Sequence, residues 1–165
     1  MLEESFEQLD QEQCAAYLKR LKLPQEECTL EFLDRLIRRH LEEIPFENLD
    51  LVRTHELIST DLDTVYKKII QGKRGGYCFE LNALFLGLLR GLGYQAYPVA
   101  CRVLRRPGLR MPTHRASVVC ADGKKYFCDV GYGALPASAP LLWSRALLRI
   151  LILAAFILKE NVQDG

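Results

Sequence analysis

The spacing of hydrophobic residues changes once along the chain, from a helical period to an alternating one. Up to about residue 93, apolar residues recur at three- and four-residue steps, as along the buried face of an amphipathic helix. From Tyr94 onward, apolar and polar residues alternate, which is typical of half-buried strands. The pattern predicts an α+β fold with a helical domain at 1–93, an incomplete antiparallel β-barrel-like domain at 94–142 and an apolar tail at 143–165.

Four helices are predicted in the first part, and local signals set their bounds. Capping residues precede two of them, including a capping box formed by Asp10 and Gln13. Glycine or proline, both of which disfavour continuation of a helix, follows each one. The helices begin after Asp10, after Thr29, at Thr64 and at Cys78, and end before Pro24, before Pro45, at Gly72 and at Gly93.

A β-hairpin is predicted around Asp122-Gly123, because this dipeptide separates two alternating runs. If these two residues form the whole turn, Ala121 faces Lys124, and His114 and Asp129 lie diagonally on one face of the hairpin. Diagonal neighbours have Cα atoms roughly 7–8 Å apart, within reach of an imidazole and a carboxylate. A three-residue loop would place the two side chains on opposite faces.

The segment 74–82 places Cys78 shortly after Gly75-Gly76 and at the start of a predicted helix. The free N–H groups and positive dipole end of a helix stabilise a thiolate, the nucleophilic form of cysteine. With His114 as base and Asp129 as orienting carboxylate, the chain holds the components of a cysteine-protease-like triad. Taken alone, Cys78 fits a buried structural cysteine better. The glycine pair, the helix start and the hairpin together favour the reactive interpretation.

The remaining polar residues are given surface roles. His40 and His55 lie among charged neighbours and are predicted to be solvated. Glu80 and Asn82 are predicted to face solvent or cap backbone, with tuning of the site as the alternative. A basic loop is predicted to be solvated, with contact to a phosphate-bearing coenzyme as the alternative; its arginines are at positions 102, 105, 106 and 110. No coenzyme-binding residue is assigned.

Composition narrows the class of protein. The 165 residues are 49% hydrophobic and 26% charged, which suits a globular core. With 22 basic and 21 acidic residues, no field of one sign points to nucleic acid or an anionic membrane. The acidic start lacks the order of a secretory signal, so a cytoplasmic protein is expected. Six cysteines without a Cys-x-x-Cys pair predict reduced thiols and no metal site.

Four segments of the chain resemble the arylamine N-acetyltransferases. The run Ile44-Pro45-Phe46-Glu47-Asn48-Leu49 resembles their early signature, and the segment 74–82 resembles the surroundings of their nucleophile. Thr113-His114 and Asp129-Val130-Gly131-Tyr132-Gly133 resemble the segments that hold the other two triad members. The four motifs occur in order, and the resemblance covers roughly residues 10–142.

The resemblance implies a ping-pong transfer from acetyl-CoA to an arylamine, arylhydroxylamine or hydrazine. Cys78 would be acetylated, His114 would hold its thiolate as an ion pair, and Asp129 would fix the histidine tautomer. It also implies a helical first domain and a β-barrel second domain. The triad by itself is equally compatible with a cysteine hydrolase or transamidase on a related fold. The acceptor amine and the oligomeric state stay open.

The tail after Leu142 departs from the family pattern, in which further strands and a third domain follow. The uninterrupted apolar stretch Ile150–Leu158 is shorter than the roughly 20 residues of a membrane span, so a buried apolar helix is predicted rather than an anchor. Loss of the further strands is expected to leave an open sheet edge and an uncovered apolar interior, favouring aggregation or a partner. A catalytically dead, truncated product that acts by binding is therefore a third hypothesis.

Overall fold

Helices come first in the chain and strands second, as the change of hydrophobic period predicts. A computed structural model of the chain describes residues 7–54, 58–103, 113–133, 138–143 and 156–158. The described helices are α1 (Gln11–Leu21), α2 (Leu30–Glu43), α3 (Leu49–Thr54), α4 (Leu62–Tyr66), which continues as a π-helix (Lys67–Gln71), and α5 (Cys78–Leu92). The described strands are β1 (Gln95–Val103), β2 (His114–Ala121), β3 (Lys124–Cys128), β4 (Leu141–Leu142) and β5 (Phe156–Leu158).

The predicted local signals form the helix ends. Asp10 and Gln13 exchange the two hydrogen bonds of a capping box, at 2.8 and 3.0 Å. The Thr29 hydroxyl accepts from the Phe32 N–H at 3.1 Å. Gly93 ends α5 with a φ of 106°, a left-handed conformation that favours glycine. The pattern does not predict α3, whose six residues form less than two turns.

The strands form one antiparallel sheet in the order β4-β3-β2-β1-β5. A mixed fold of helices and antiparallel strands is therefore confirmed, but the predicted barrel character is not. Among the described residues the sheet is open, with β4 and β5 at its two edges. These edge strands have two and three residues, and in the described part of the sheet they are not paired with each other.

The predicted apolar helix of the tail is wrong at Phe156–Leu158, which form β5 instead. Leu158 pairs with Cys101 and Phe156 with Val103 in an antiparallel ladder on the outer side of β1. The unpaired backbone groups of that edge favour an added strand, and β-branched and aromatic residues suit one. Part of the β1 edge, predicted to be open, is thus covered. The tail at 144–155 and 159–165 lies outside the described residues.

The main hydrophobic core lies around α5, which is apolar on almost every side and is buried accordingly. Tyr17 from α1, Phe32 from α2 and Val119 from β2 belong to the same buried cluster as Phe85 of α5. The helix is therefore held at its centre by both the helical part and the sheet. None of the described helices is long and apolar enough to cross a membrane.

The hairpin has the predicted two-residue turn. Asp122 and Gly123 have φ values of 49° and 70°, the left-handed pair of a type I′ turn. Ala121 pairs with Lys124, and the ladder continues to Ser117 and Cys128. This register places His114 and the carboxylate that follows β3 on the same face of the sheet.

His40 is buried, so its predicted surface position is wrong. Its Nδ1 lies 2.6 Å from the Tyr17 hydroxyl, and its ring meets Phe85 edge-on at 5.4 Å. Its Nε2 has no hydrogen-bond partner among the described residues. Burial, with the nearby charge of Arg20, lowers the pKa of His40 to about 3. The charged neighbours that suggested exposure lie on other faces of α2, whereas His55 lies outside the described residues.

We expect protonation of His40 to destabilise the fold in acid. Its folded pKa of about 3 lies below the ordinary 6.5, so the unfolded chain binds the proton more tightly. The destabilisation due to His40 should begin as pH drops below 6.5 and should reach its full size near pH 3. His40→Asn keeps a polar partner for Tyr17 but does not titrate. The variant should be less stable at neutral pH, because it loses the ring contact with Phe85. Its stability should also depend less on pH in acid, because asparagine does not titrate.

Thermal unfolding followed by circular dichroism at about pH 7 and about pH 4.5 measures this difference. The wild-type chain should lose more stability between the two conditions than His40→Asn does. Equal losses in both proteins would show that other groups control the acid response.

Candidate active site

Cys78 is the first residue of α5, and its side chain is 5% exposed. Tyr77 precedes the helix in an extended conformation, and its N–H donates to the Glu80 carboxylate at 2.8 Å. Lys68, on the π-helix, bonds both oxygens of that carboxylate at 2.8 and 2.9 Å. Glu80 is therefore a buried backbone cap with a paired charge, so its predicted capping role is confirmed and solvent exposure is not.

The loop before Cys78 packs backbone to backbone against the segment around Phe46. The Gly76 N–H donates to the Pro45 carbonyl at 3.2 Å, and the Glu47 N–H donates to the Gly76 carbonyl at 2.9 Å. A Cβ on Gly75 would overlap the Pro45 carbonyl, so this approach requires glycine. Arg74 adds a bidentate ion pair with Glu47, at 3.0 and 3.1 Å. The segments 44–49 and 74–82, two of the sequence motifs, therefore contact each other directly, and this contact fixes the start of α5.

His114 and Asp129 meet on the sheet as the hairpin register predicts. His114 begins β2, Asp129 follows β3, and both are nearly inaccessible to solvent. His114 Nε2 lies 2.6 Å from Asp129 Oδ2. The imidazole is also hydrogen-bonded to the side chain of Cys78. The structure thus brings together all three residues that the sequence proposes.

The surroundings of His114 favour its charged form. Burial lowers the pKa of the imidazole, but hydrogen bonds to Asp129 and Cys78, and the charges of both partners, outweigh burial and raise the pKa to about 9. An imidazolium at neutral pH can stabilise a thiolate on the neighbouring sulfur. Burial and the charge of Asp129 instead raise the pKa of the thiols of Cys101 and Cys128 well above the ordinary value. These two buried thiols therefore stay protonated.

Gly131 and Asn82 form the contact between the sheet and the start of α5. A Cβ on Gly131 would lie 2.6 Å from Asn82 Nδ2 and 2.9 Å from the Cys78 carbonyl oxygen, so only glycine allows this approach. Asn82 is fully buried, so its predicted solvent exposure is wrong, whereas the predicted contact with neighbouring backbone is confirmed by its bond to the Cys78 carbonyl at 3.2 Å. One sequence signal could have found it. Asn82 lies four residues after Cys78, and therefore on the same side of a mostly apolar helix.

An aromatic surface borders the site. Phe46, which is 41% exposed, lies with its ring centre 5.7 Å from that of Tyr77, which in turn lies 6.2 Å from Phe79. The Phe46 ring also packs against the backbone of Gly133, just beyond Asp129. Tyr132 meets the His114 ring edge-on at 5.5 Å. Planar apolar groups can pack on such a surface.

The residues considered for contact with a coenzyme or a metal ion are the basic-loop arginines and clusters of His, Cys, Asp and Glu. The basic-loop arginines at positions 105, 106 and 110, and the side chain of Arg102, lie outside the described residues. Within the described ranges, no cluster of His, Cys, Asp or Glu is arranged to hold a metal ion.

Comparison with known proteins gives concordant results. Residues 29–162 match the model of a family described as N-acetyltransferase. The chain is 38% identical over 115 residues to an arylamine N-acetyltransferase / N-hydroxyarylamine O-acetyltransferase of Salmonella typhimurium, covering 68% of this chain and 41% of the relative. It is 35% identical over 119 residues to an arylamine N-acetyltransferase of Mycobacterium tuberculosis, covering 68% and 42%.

Solved structures agree in fold. The arylamine N-acetyltransferase of Salmonella typhimurium superposes with a TM-score of 0.77 at 34% identity, covering 82% of this chain and 50% of that one. The Mycobacterium marinum enzyme in complex with CoA superposes with a TM-score of 0.73 at 33% identity, covering 79% and 51%. The chain therefore spans about half, or somewhat less, of the length of these relatives.

Proposed function

Because this chain belongs to the arylamine N-acetyltransferase family, we propose that it transfers an acetyl group from acetyl-CoA to an arylamine, arylhydroxylamine or hydrazine. The observation that carries the proposal is the meeting of Cys78, at the start of α5, with the imidazole of His114, whose Nε2 lies 2.6 Å from Asp129 Oδ2. Cys78, His114 and Asp129 are the proposed catalytic residues.

The first half-reaction acetylates Cys78. The thiolate sulfur attacks the thioester carbonyl carbon of acetyl-CoA and forms a tetrahedral intermediate. The bond from this carbon to the sulfur of CoA then breaks, and His114 gives its proton to the departing thiolate. The products are acetyl-Cys78, free CoA and a neutral imidazole.

The second half-reaction returns the enzyme to its starting state. The nitrogen of the acceptor attacks the carbonyl carbon of acetyl-Cys78 and loses a proton to the neutral His114. The bond from this carbon to the Cys78 sulfur breaks, which regenerates the thiolate beside an imidazolium. Division into two steps lets two bulky substrates use one small site in turn, as in a ping-pong mechanism.

Asp129 determines the tautomer of the His114 imidazole and favours its charged form in both steps. Its Oδ2 faces Nε2 at 2.6 Å, so the ring keeps a proton on Nε2 and presents its other nitrogen to Cys78. Its charge also favours the imidazolium. These contacts support a division of labour in which the helical domain, 1–93, supplies Cys78 and the strand-rich domain, 94–142, supplies the other two residues.

The aromatic surface supports an aromatic acceptor. Phe46 and Tyr77 lie beside the helix start that carries Cys78, and Tyr132 borders His114. A flat ring on this surface can bring its amino group to acetyl-Cys78 with little desolvation of polar groups. The described residues favour no particular member of the class.

Mass spectrometry of the intact chain tests the proposal. Incubation with acetyl-CoA and no acceptor is expected to add one acetyl group, because the acetyl-enzyme accumulates when the second step is blocked. Peptide mapping should place the group on Cys78, and aniline should then remove it and yield acetanilide. An acetyl group on Cys101, Cys120 or Cys128 instead would contradict the assignment.

Two other results would favour the alternatives. Steady release of CoA and acetate without an acceptor would point to a cysteine hydrolase. A folded chain that takes up no acetyl group would point to a product that acts by binding only.

A further inference from the structure

One buried amide touches both Cys78 and Asp129. Asn82 lies on α5 and is fully buried. Its Nδ2 donates to the Cys78 carbonyl at 3.2 Å and to Asp129 Oδ1 at 3.0 Å. Its Oδ1 accepts from the Val130 N–H at 3.1 Å. Both amide hydrogens and the oxygen of this side chain are therefore engaged.

These partners determine the orientation of the amide and of the carboxylate. The nitrogen of Asn82 must face two acceptors and its oxygen must face a donor, so the flipped amide would lose all three bonds. Asp129 Oδ1 accepts from Asn82 and also from the Gly131 N–H at 2.9 Å. With Oδ1 occupied by two donors, Oδ2 is the oxygen that faces His114.

We propose that Asn82 is a positioning residue for the acetyl transfer, acting through Asp129 and the main chain of Cys78. This inference rests on the proposed function of the same site. The amide holds the carboxylate in the rotamer that aims Oδ2 at the imidazole. It also ties that carboxylate to the residue that carries the nucleophile. The geometry of the site thus depends on a side chain that touches neither substrate nor the reacting atoms.

Asn82→Asp distinguishes positioning from simple filling of the core. The new carboxyl has almost the same shape, but when ionised it has no hydrogen to donate and lies against Asp129 and the Cys78 carbonyl. Burial and the charge of Asp129 raise the pKa of such a group. Once protonated, it can donate one O–H to Asp129 while its other oxygen still accepts from Val130. The defect of this variant should therefore diminish as pH falls.

The readout is the rate at which iodoacetamide alkylates Cys78, followed by peptide mass between about pH 5 and about pH 8. The rate reports the thiolate held by His114 and requires no acetyl-CoA. Asn82→Leu should be slower than wild type by about 10–100-fold throughout, as expected for a lost hydrogen bond to a charged group. Near neutral pH, alkylation of Asn82→Asp should be as slow as that of Asn82→Leu. As pH falls, its rate relative to wild type should rise about tenfold per pH unit until the new carboxyl is protonated.

Gln25→Glu is the matched control, since it makes the same change from amide to carboxylate in the exposed loop between α1 and α2. In this variant, iodoacetamide should alkylate Cys78 at the wild-type rate at every pH. A constant ratio of Asn82→Asp to wild type, or wild-type rates in both Asn82 variants, would overturn the proposal. Failure of both variants to fold, judged by circular dichroism, would also overturn it in favour of a purely structural role. If wild type is alkylated normally but never acetylated, the proposed function fails while the positioning role stands.

Discussion

Cys78→Ser is expected to lose nearly all acetyl transfer, a drop on the order of 10³-fold or more. The helix start and the imidazolium of His114 can hold a thiolate, but a hydroxyl is far harder to ionise at neutral pH. The exchange of sulfur for oxygen hardly changes the volume, so the fold should be retained. Release of CoA in the presence of aniline, with intact mass for the acetyl-enzyme, measures the loss.

Cys120→Ser is the matched control for that variant. Cys120 lies on β2 and is partly exposed, and its thiol has no role in the proposed mechanism. The control should keep the wild-type rate and the acetyl mass. Loss of transfer in Cys120→Ser, with retention in Cys78→Ser, would show that the nucleophile is assigned to the wrong residue.

Asp129→Asn is expected to slow acetyl transfer by about 10²–10⁴-fold while the chain stays folded. The N–H groups of Asn82 and Gly131 both point at Oδ1, so the new amide must place its oxygen there and its NH₂ toward His114. Nε2 then has to accept a hydrogen bond, and the ring proton moves to the nitrogen that faces Cys78. The imidazole would hold the wrong tautomer to take a proton at the sulfur.

The same variant should alter the response to pH. In the wild type, the imidazolium should persist until pH rises through about 9. The hydrogen bond and charge of Asp129 raise this pKa, and the imidazolium has to give its proton to departing CoA. Their loss should therefore move the alkaline fall in the rate of acetyl transfer to lower pH. The raised pKa also stabilises the wild-type fold below pH 6.5, and this contribution is lost as pH rises through about 9. The variant should lack that part of the pH dependence.

Asp122→Asn makes the same chemical change on the exposed hairpin turn and serves as the control. Asparagine tolerates the positive φ of 49° found there, so rate and thermal stability should stay near wild type. A loss of thermal stability in Asp129→Asn that matches its loss of rate would instead identify a structural carboxylate. The pH–rate profile and thermal unfolding therefore have to be measured on the same preparations.

Features that depend on neighbours a few residues apart can be predicted from the sequence alone. The capping box of Asp10, the left-handed end of α5 at Gly93 and the Asp122-Gly123 turn each follow from hydrogen bonds or backbone preferences within a single turn. The turn also determined the register of the hairpin. Because side chains alternate strictly along strands, that register was enough to bring His114 and Asp129 to one face.

Features that depend on the docking of distant surfaces could not be predicted in this way. No short-range sequence signal predicts that Cys78 lies beside His114. The approach depends on the close contact at Gly131 and on the bonds of Asn82, whose partners lie 47 and 48 residues away. The burial of His40 and the pairing of Phe156–Leu158 with β1 have the same origin. A residue's burial or strand partner depends on which face of its element the rest of the chain covers, and packing between distant segments determines that face.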